Sequence, residues 1–215
     1  MAQAVSLEAL RARIREIEGA APVHRGRQQT GVAAVDQLVD GFPCPGIVEL
    51  CGSPGSGRIR LALALVRERT RARQSVAWVD SLRQLYPPAL AAMGISLDRI
   101  LLIRPVADGT RPELWAAEQL LRSGCFGLVV LETTDANQGS GPRALSRSKG
   151  HVLARAAEKG ASTALVLGAR PSRHIPAELR LQTGGGAVSV LRDRVGVPGR
   201  TAPLPDWLPG TRPLP

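Results

Sequence analysis

The sequence predicts an α/β fold, a mostly parallel β-sheet flanked by helices with a C-terminal antiparallel hairpin. Short apolar, β-favouring runs alternate with helix-period segments from Thr30 onward. The runs are apolar on both faces, as in Leu128–Leu131, so both faces of the sheet must be covered, with right-handed crossovers. A glycine-rich turn, Gly52–Gly57, follows one of these runs directly and opens a helix.

Residues 1–28 form a separate N-terminal helix and basic link. Leu7, Leu10, Ile14 and Ile17 share one helical face behind Ser6 as N-cap, and Gly19 and Pro22 stop the helix. The core domain spans 29–196. Its first strand is Ile47–Cys51, followed by a helix over Arg58–Arg73 and a strand over Ser75–Asp80. Pro87 and Pro88 open a short helix that Gly94 ends, and Ile100–Ile103 is the next strand. Thr110-Arg111-Pro112-Glu113 reads as a capping box, and Leu114, Ala117 and Leu121 give its helix a buried stripe up to Gly124. Leu128–Leu131 is a strand ending on Glu132, and a loop then leads to a helix over Ala144–Lys159. Ser162–Leu167 is a further strand. Leu179–Gln182 and Ala187–Leu191 make the hairpin around Gly184-Gly185-Gly186. Residues 197–215 form a proline-rich tail, with six prolines from position 198 onward and no periodicity.

Composition excludes several classes. Of 215 residues 44% are hydrophobic and 21% charged, and no apolar run approaches the roughly 20 residues of a membrane span. Glu8, Arg11, Arg13 and Arg15 interrupt any signal-peptide core, which points to the cytoplasm. Cys44, Cys51 and Cys125 are odd in number and lack paired spacing, so neither a disulfide framework nor structural zinc is predicted. His24, His151 and His174 are scattered, and Cys51, Cys125, Trp78 and Trp115 read as core residues. No metal ligand is assigned. The net charge of +10 suggests nucleic acid or an acidic protein as partner, although only Lys149 and Lys159 among 28 basic residues are lysines, a sign of codon bias toward arginine. Aromatic residues make up 3%, too few for a base-stacking platform.

The segment Gly52-Ser53-Pro54-Gly55-Ser56-Gly57-Arg58-Ile59 has the strand–turn–helix context of a phosphate-binding loop. That loop requires lysine and a metal-binding hydroxyl where Arg58 and Ile59 stand. A forked guanidinium does not replace a compact ammonium, and isoleucine binds no metal. Two readings stay open: a turn kept for the fold, or a loop that binds nucleotide weakly or without Mg²⁺.

Thr30-Gly31…Val35-Asp36-Gln37-Leu38, Gly46-Ile47-Val48-Glu49-Leu50 with the glycine loop, Met93-Gly94-Ile95 and Leu121-Arg122-Ser123-Gly124 resemble the RecA core in order and spacing. Within that superfamily, Ala77-Trp78-Val79-Asp80, Tyr86-Pro87-Pro88-Ala89-Leu90 and the segment Leu114–Gly124 resemble the ImuA family. ImuA proteins are accessory proteins of damage-inducible (SOS) mutagenesis, distantly likened to the division inhibitor SulA. The resemblance implies a RecA-like core that acts in translesion DNA synthesis without catalysis, or with weak nucleotide binding. Its implied partners are an ImuB-like protein, RecA and, indirectly, an error-prone polymerase α subunit.

The resemblance places Glu132 at the Walker B carboxylate, Leu82 at the general-base glutamate and Gly168 at the γ-phosphate sensor. With Arg58 and Ile59 these changes leave phosphoryl transfer few of its parts, so no catalytic residue is assigned and no cofactor is required, ATP being the one the loop would take. RecA's DNA-binding loops correspond to Thr134–Gly141 and Arg170–Pro176. Candidate contacts for weak or indirect DNA binding are Arg69, Arg71, Arg73, Arg170 and Arg173. In the tail, Leu204, Trp207 and Leu208 are apolar anchors suited to a partner. The alternatives are a DNA-stimulated ATPase of RecA type and a SulA-like division inhibitor.

Overall fold

The protein is described by a computed structural model at residues 26–106, 112–133 and 147–204. The N-terminal helix, Thr110 of the capping box, the loop 134–141, and Trp207 and Leu208 lie outside these residues.

Two short strands come first: β1 (Gly26–Gln28) pairs antiparallel with β2 (Phe42–Cys44), and α1 (Ala33–Val39) lies between them in the chain. Then follow β3 (Gly46–Cys51), α2 (Arg58–Arg71), β4 (Val76–Val79), α3 (Pro87–Ala92), β5 (Ile100–Ile103), α4 (Pro112–Ser123), β6 (Leu128–Glu132), α5 (Arg147–Gly160), β7 (Thr163–Gly168), β8 (Leu179–Gly184), β9 (Ala187–Asp193) and β10 (Thr201–Pro203). The main sheet has the order β10-β9-β8-β3-β7-β6-β4-β5. From β8 to β5 every neighbouring pair is parallel, while β8–β9 and β9–β10 are antiparallel.

Strand alternation splits the core in two. Val48, Leu50, Val76, Trp78, Val130 and Leu165 face α1, α2 and α3. Ile47, Ala77, Val79, Val129, Leu131 and Val166 face α4 and α5. Such strands are buried on both sides, which is why they read as unbroken apolar runs.

Three expectations need correction. The core extends beyond 29–196 at both ends, since Gly26–Gln28 pairs with β2 and Thr201–Pro203 pairs with β9. Strands this short give no periodic signal; Pro203 suits an edge strand, which needs fewer ladder donors. Trp115 is 66% exposed rather than packed, because it stands one residue, about 100°, off the buried Leu114–Ala117–Leu121 stripe. Arg69, a candidate DNA contact, is buried and donates to Gln28 Oε1 and to Gln74 Oε1, the latter at 3.2 Å.

Candidate functional site

The glycine loop lies between the C-terminal end of β3 and the first turn of α2. Gly57 is the N-cap of α2 with φ 91°, a left-handed conformation that a side chain would strain. Around it the loop is closed by its own bonds. Ser56 N donates to Ser53 O at 3.0 Å, the Ser56 and Thr183 hydroxyls lie 2.9 Å apart, and Thr183 Oγ1 donates to Cys51 O at 3.2 Å. No side chain caps α2 and its first turn holds no acid, so its terminal amides keep their affinity for an anion.

Arg58 turns inward. Its Nη1 donates to Gly52 O at 2.9 Å, and its Nη2 lies 3.5 Å from Glu132 Oε1, an ion pair too long for a hydrogen bond. The guanidinium therefore braces the loop against the end of β6. Glu132 is buried, and burial pushes its carboxyl above the usual range; Arg58 opposes the shift and the charge of Asp80 adds to it. Ile59 packs against the core on the α2 side, and Leu82 is 40% exposed. Gly168 ends β7 beside Thr133, whose Oγ1 donates to Leu167 O at 2.8 Å.

Asp80, fully buried at the end of β4, is satisfied locally. Its carboxylate accepts from Gln84 N at 2.9 Å, Leu85 N at 3.3 Å and Arg104 Nε at 3.0 Å. These bonds stitch the β4–α3 loop to β5. No group of three or more His, Cys, Asp or Glu side chains suited to a metal occurs among the described residues.

The sequence pattern did not reveal a second cluster. Glu49, on β3, is 1% exposed and pairs through Oε2 with Arg180 Nε on β8, its register partner. Its Oε1 accepts from Ser172 N at 2.7 Å, and Arg180 Nη2 donates to Ser172 O at 2.7 Å. Burial raises the Glu49 carboxyl; the Ser172 amide and Arg180 oppose the shift. Burial together with Glu49 pushes the neighbouring Cys51 thiol up to about 12, so that thiol is inert as a nucleophile at neutral pH. The cluster holds the loop after β7. Gly150 on α5 admits that loop, since an added Cβ would strike the His174 carbonyl and come within 2.9 Å of Pro176 Cδ. A lone carboxylate inside the apolar run Ile47–Leu50 was the available signal, because a buried charge requires a partner.

The candidate DNA contacts do not form one surface. Arg170 and Arg173 are exposed just past the C-terminal end of β7, whereas Arg71, the last residue of α2, and Arg73, between α2 and the start of β4, are exposed at the other end. These are opposite ends of parallel strands, about 15–20 Å apart at ~3.3 Å per residue. Arg69 is committed to the fold: burial lowers the pKa of its guanidinium, opposed by Cys44 and Asp36. Leu204 packs against the core instead of standing free, with its N donating to Gly186 O at 2.7 Å.

The RecA N-terminal domain family matches residues 22–144, from the link before β1 to the approach of α5. The chain belongs to that family. Among curated relatives, the protein RecA of Picosynechococcus sp. is 32% identical over 108 residues, 50% of this chain and 30% of that protein. The protein RecA of Brevibacillus brevis is 35% identical over 109 residues, again 50% of this chain and 30% of the relative. The alignments thus span under a third of the RecA relatives. Among solved structures, that of the RadB recombinase superposes with a TM-score of 0.63 at 22% identity, covering 81% of this chain and 93% of that one, which bears on the fold. The RecA-like α/β fold and its C-terminal hairpin stand. Among the described residues no helix is long and apolar enough to cross a membrane.

Proposed function

We propose that this RecA-family chain is a non-catalytic accessory protein of damage-induced translesion synthesis, of the ImuA type, acting through contacts with an ImuB-like protein and RecA. The observation that carries the reading is the inward Arg58. The cation that a phosphate loop holds for its nucleotide is here bound to Gly52 O and set against Glu132. A Mg²⁺-nucleotide does not fit these residues: Ile59 offers no metal ligand, Glu132 already has its counter-charge, and Leu82 cannot activate water. The edge strand β5 supports a role through protein contacts. Among the described residues it pairs with β4 alone, all four of its residues are half-buried, and exposed Val106 and Trp115 stand on adjoining segments.

The test is ATP turnover with and without single-stranded DNA, beside a pull-down from damage-treated cells read by mass spectrometry. Negligible turnover, with an ImuB-like protein and RecA recovered, is the expected outcome. DNA-stimulated turnover that Arg58→Ala abolishes would instead establish the RecA-type ATPase, and recovery of cell-division proteins the SulA-like reading.

A further inference from the structure

A cavity of about 230 Å³ opens between α2 and α3. Ile59, Leu63, Trp78, Leu90, Met93 and Glu132 line it, and Gln84, Tyr86 and Ala89, all exposed, form its mouth. None of residues 52–58 lines it, so the cavity is separate from the glycine loop. An apolar cavity of about 150 Å³ takes one benzene, so this one has room for a substituted benzene or a fused pair of rings.

One wall carries a charge. Leu128 and Val130 face the α2 side of the sheet, and alternation along β6 puts Glu132 on that same face with Trp78. The contact with Arg58, in the first turn of α2, holds its carboxylate on that side. An ionised carboxylate has about four lone-pair sites, yet among the described residues Glu132 accepts no side-chain hydrogen bond. Arg58 Nη2, at 3.5 Å, balances the charge without satisfying the lone pairs. A buried acceptor in this state calls for a donor.

The charges select the occupant. A second cation would add charge to a buried pair already in balance, an anion would be repelled by Glu132, and a hydrocarbon would leave the carboxylate unsatisfied. A water needs two to four polar partners, and apart from Glu132 the buried lining is hydrocarbon and aromatic. A neutral ring with one O–H or N–H meets both the shape and the acceptor.

We propose that this cavity binds a neutral aromatic molecule of the phenol or indole class, its O–H or N–H donating to Glu132. The ring lies among Leu63, Trp78 and Leu90, and Tyr86, 67% exposed, adds an aromatic side chain at the mouth. This inference holds whether or not the chain acts in translesion synthesis.

The test titrates the full chain with four probes built on one ring: para-cresol, para-xylene, para-methylbenzylamine and para-methylbenzoate. Isothermal titration calorimetry gives the affinities, and the NMR shifts of the Trp78 side chain report the place. Para-cresol should bind saturably at millimolar concentration and about tenfold more tightly than para-xylene, the preference that a hydrogen bond to a charged acceptor confers. The amine and the benzoate should bind more weakly than para-cresol. Glu132→Gln, which keeps the shape and removes the charge, should cut the cresol-over-xylene preference severalfold. Ala89→Phe, at the exposed mouth, should weaken both probes with unchanged far-UV circular dichroism. No saturable shift at Trp78, equal affinity for para-cresol and para-xylene, or a preference untouched by Glu132→Gln would overturn the proposal. Tightest binding of the amine would make this a cation site and overturn it equally.

Discussion

Replacing Arg180 with methionine isolates the Glu49 cluster. The substitution keeps much of the side chain's apolar length and removes the charge. Glu49, 1% exposed, would retain the Ser172 amide but lose its counter-ion, whose own side chain is 16% exposed. A buried pair broken from one side costs about 3–5 kcal/mol. For a domain of this size each kcal/mol lowers Tm by about 2–4 °C, so Arg180→Met should lose roughly 6–20 °C. The loss should depend on pH. The folded-state pKa of Glu49 is raised above its unfolded value, so the folded state holds the proton more tightly. That contribution is present below the unfolded pKa, near 4.3, and is lost as pH rises through the folded pKa. Arg180 opposes the shift, so its removal widens the window, and acidification from pH 8 to pH 5 should restore part of the stability of Arg180→Met. Glu49→Leu with Arg180→Leu, which leaves no orphan charge, should recover most of the Tm while freeing the Ser172 amide to exchange. Thermal melts across that range, with urea melts as a check, give the result. A Tm within about 2 °C of the parent, or a loss equal at both pH values, would refute the buried-pair account.

Glu132→Gln should remove a pH-dependent cost, because burial raises that carboxyl too; the stability of the parent should fall relative to the variant as pH rises above the carboxylate range, measured by paired melts. Truncation after Gly196 should lower Tm by many degrees, since it deletes β10 and Arg200, whose guanidinium donates to Leu38 O at 2.8 Å and Gln37 O at 2.9 Å; an unchanged Tm would return β10 to a dispensable tail. Arg170→Ala with Arg173→Ala should weaken single-stranded DNA binding and reduce the salt slope by about 0.7 for each phosphate no longer neutralised, whereas Arg71→Ala with Arg73→Ala, at the other end of the sheet, should leave that slope unchanged in titrations across salt.

The central strands were legible because burial on both faces writes itself as runs such as Leu128–Leu131, and the glycine loop because its turn demands glycine at positions such as Gly57. Sequence could not show the direction Arg58 takes, since its length allows it to face a phosphate or fold back onto Gly52. Nor could charge distinguish Arg69 from Arg71: they stand two apart on one helix, and only tertiary packing decides which is enclosed. The three-residue strands β1, β2 and β10 carry too few residues for any period to register. Trp115 was readable in principle from its offset to the Leu114–Ala117–Leu121 stripe, but its size alone suggested a core residue.

The C-terminal carbonyls of α1 are held from two distant places in the chain. Arg27, on β1, donates to Val39 O and Gly41 O, and Arg200 takes Leu38 O and Gln37 O from 162 residues downstream of Leu38. During synthesis the helix emerges long before its second latch. At 5–20 residues per second the wait is on the order of 10–30 s. For that interval the apolar side of α1, carrying Val35, Leu38 and Val39, has neither Arg200 nor the β9–β10 edge to close over it, so the nascent chain is most exposed to misassociation while its own end is still being made.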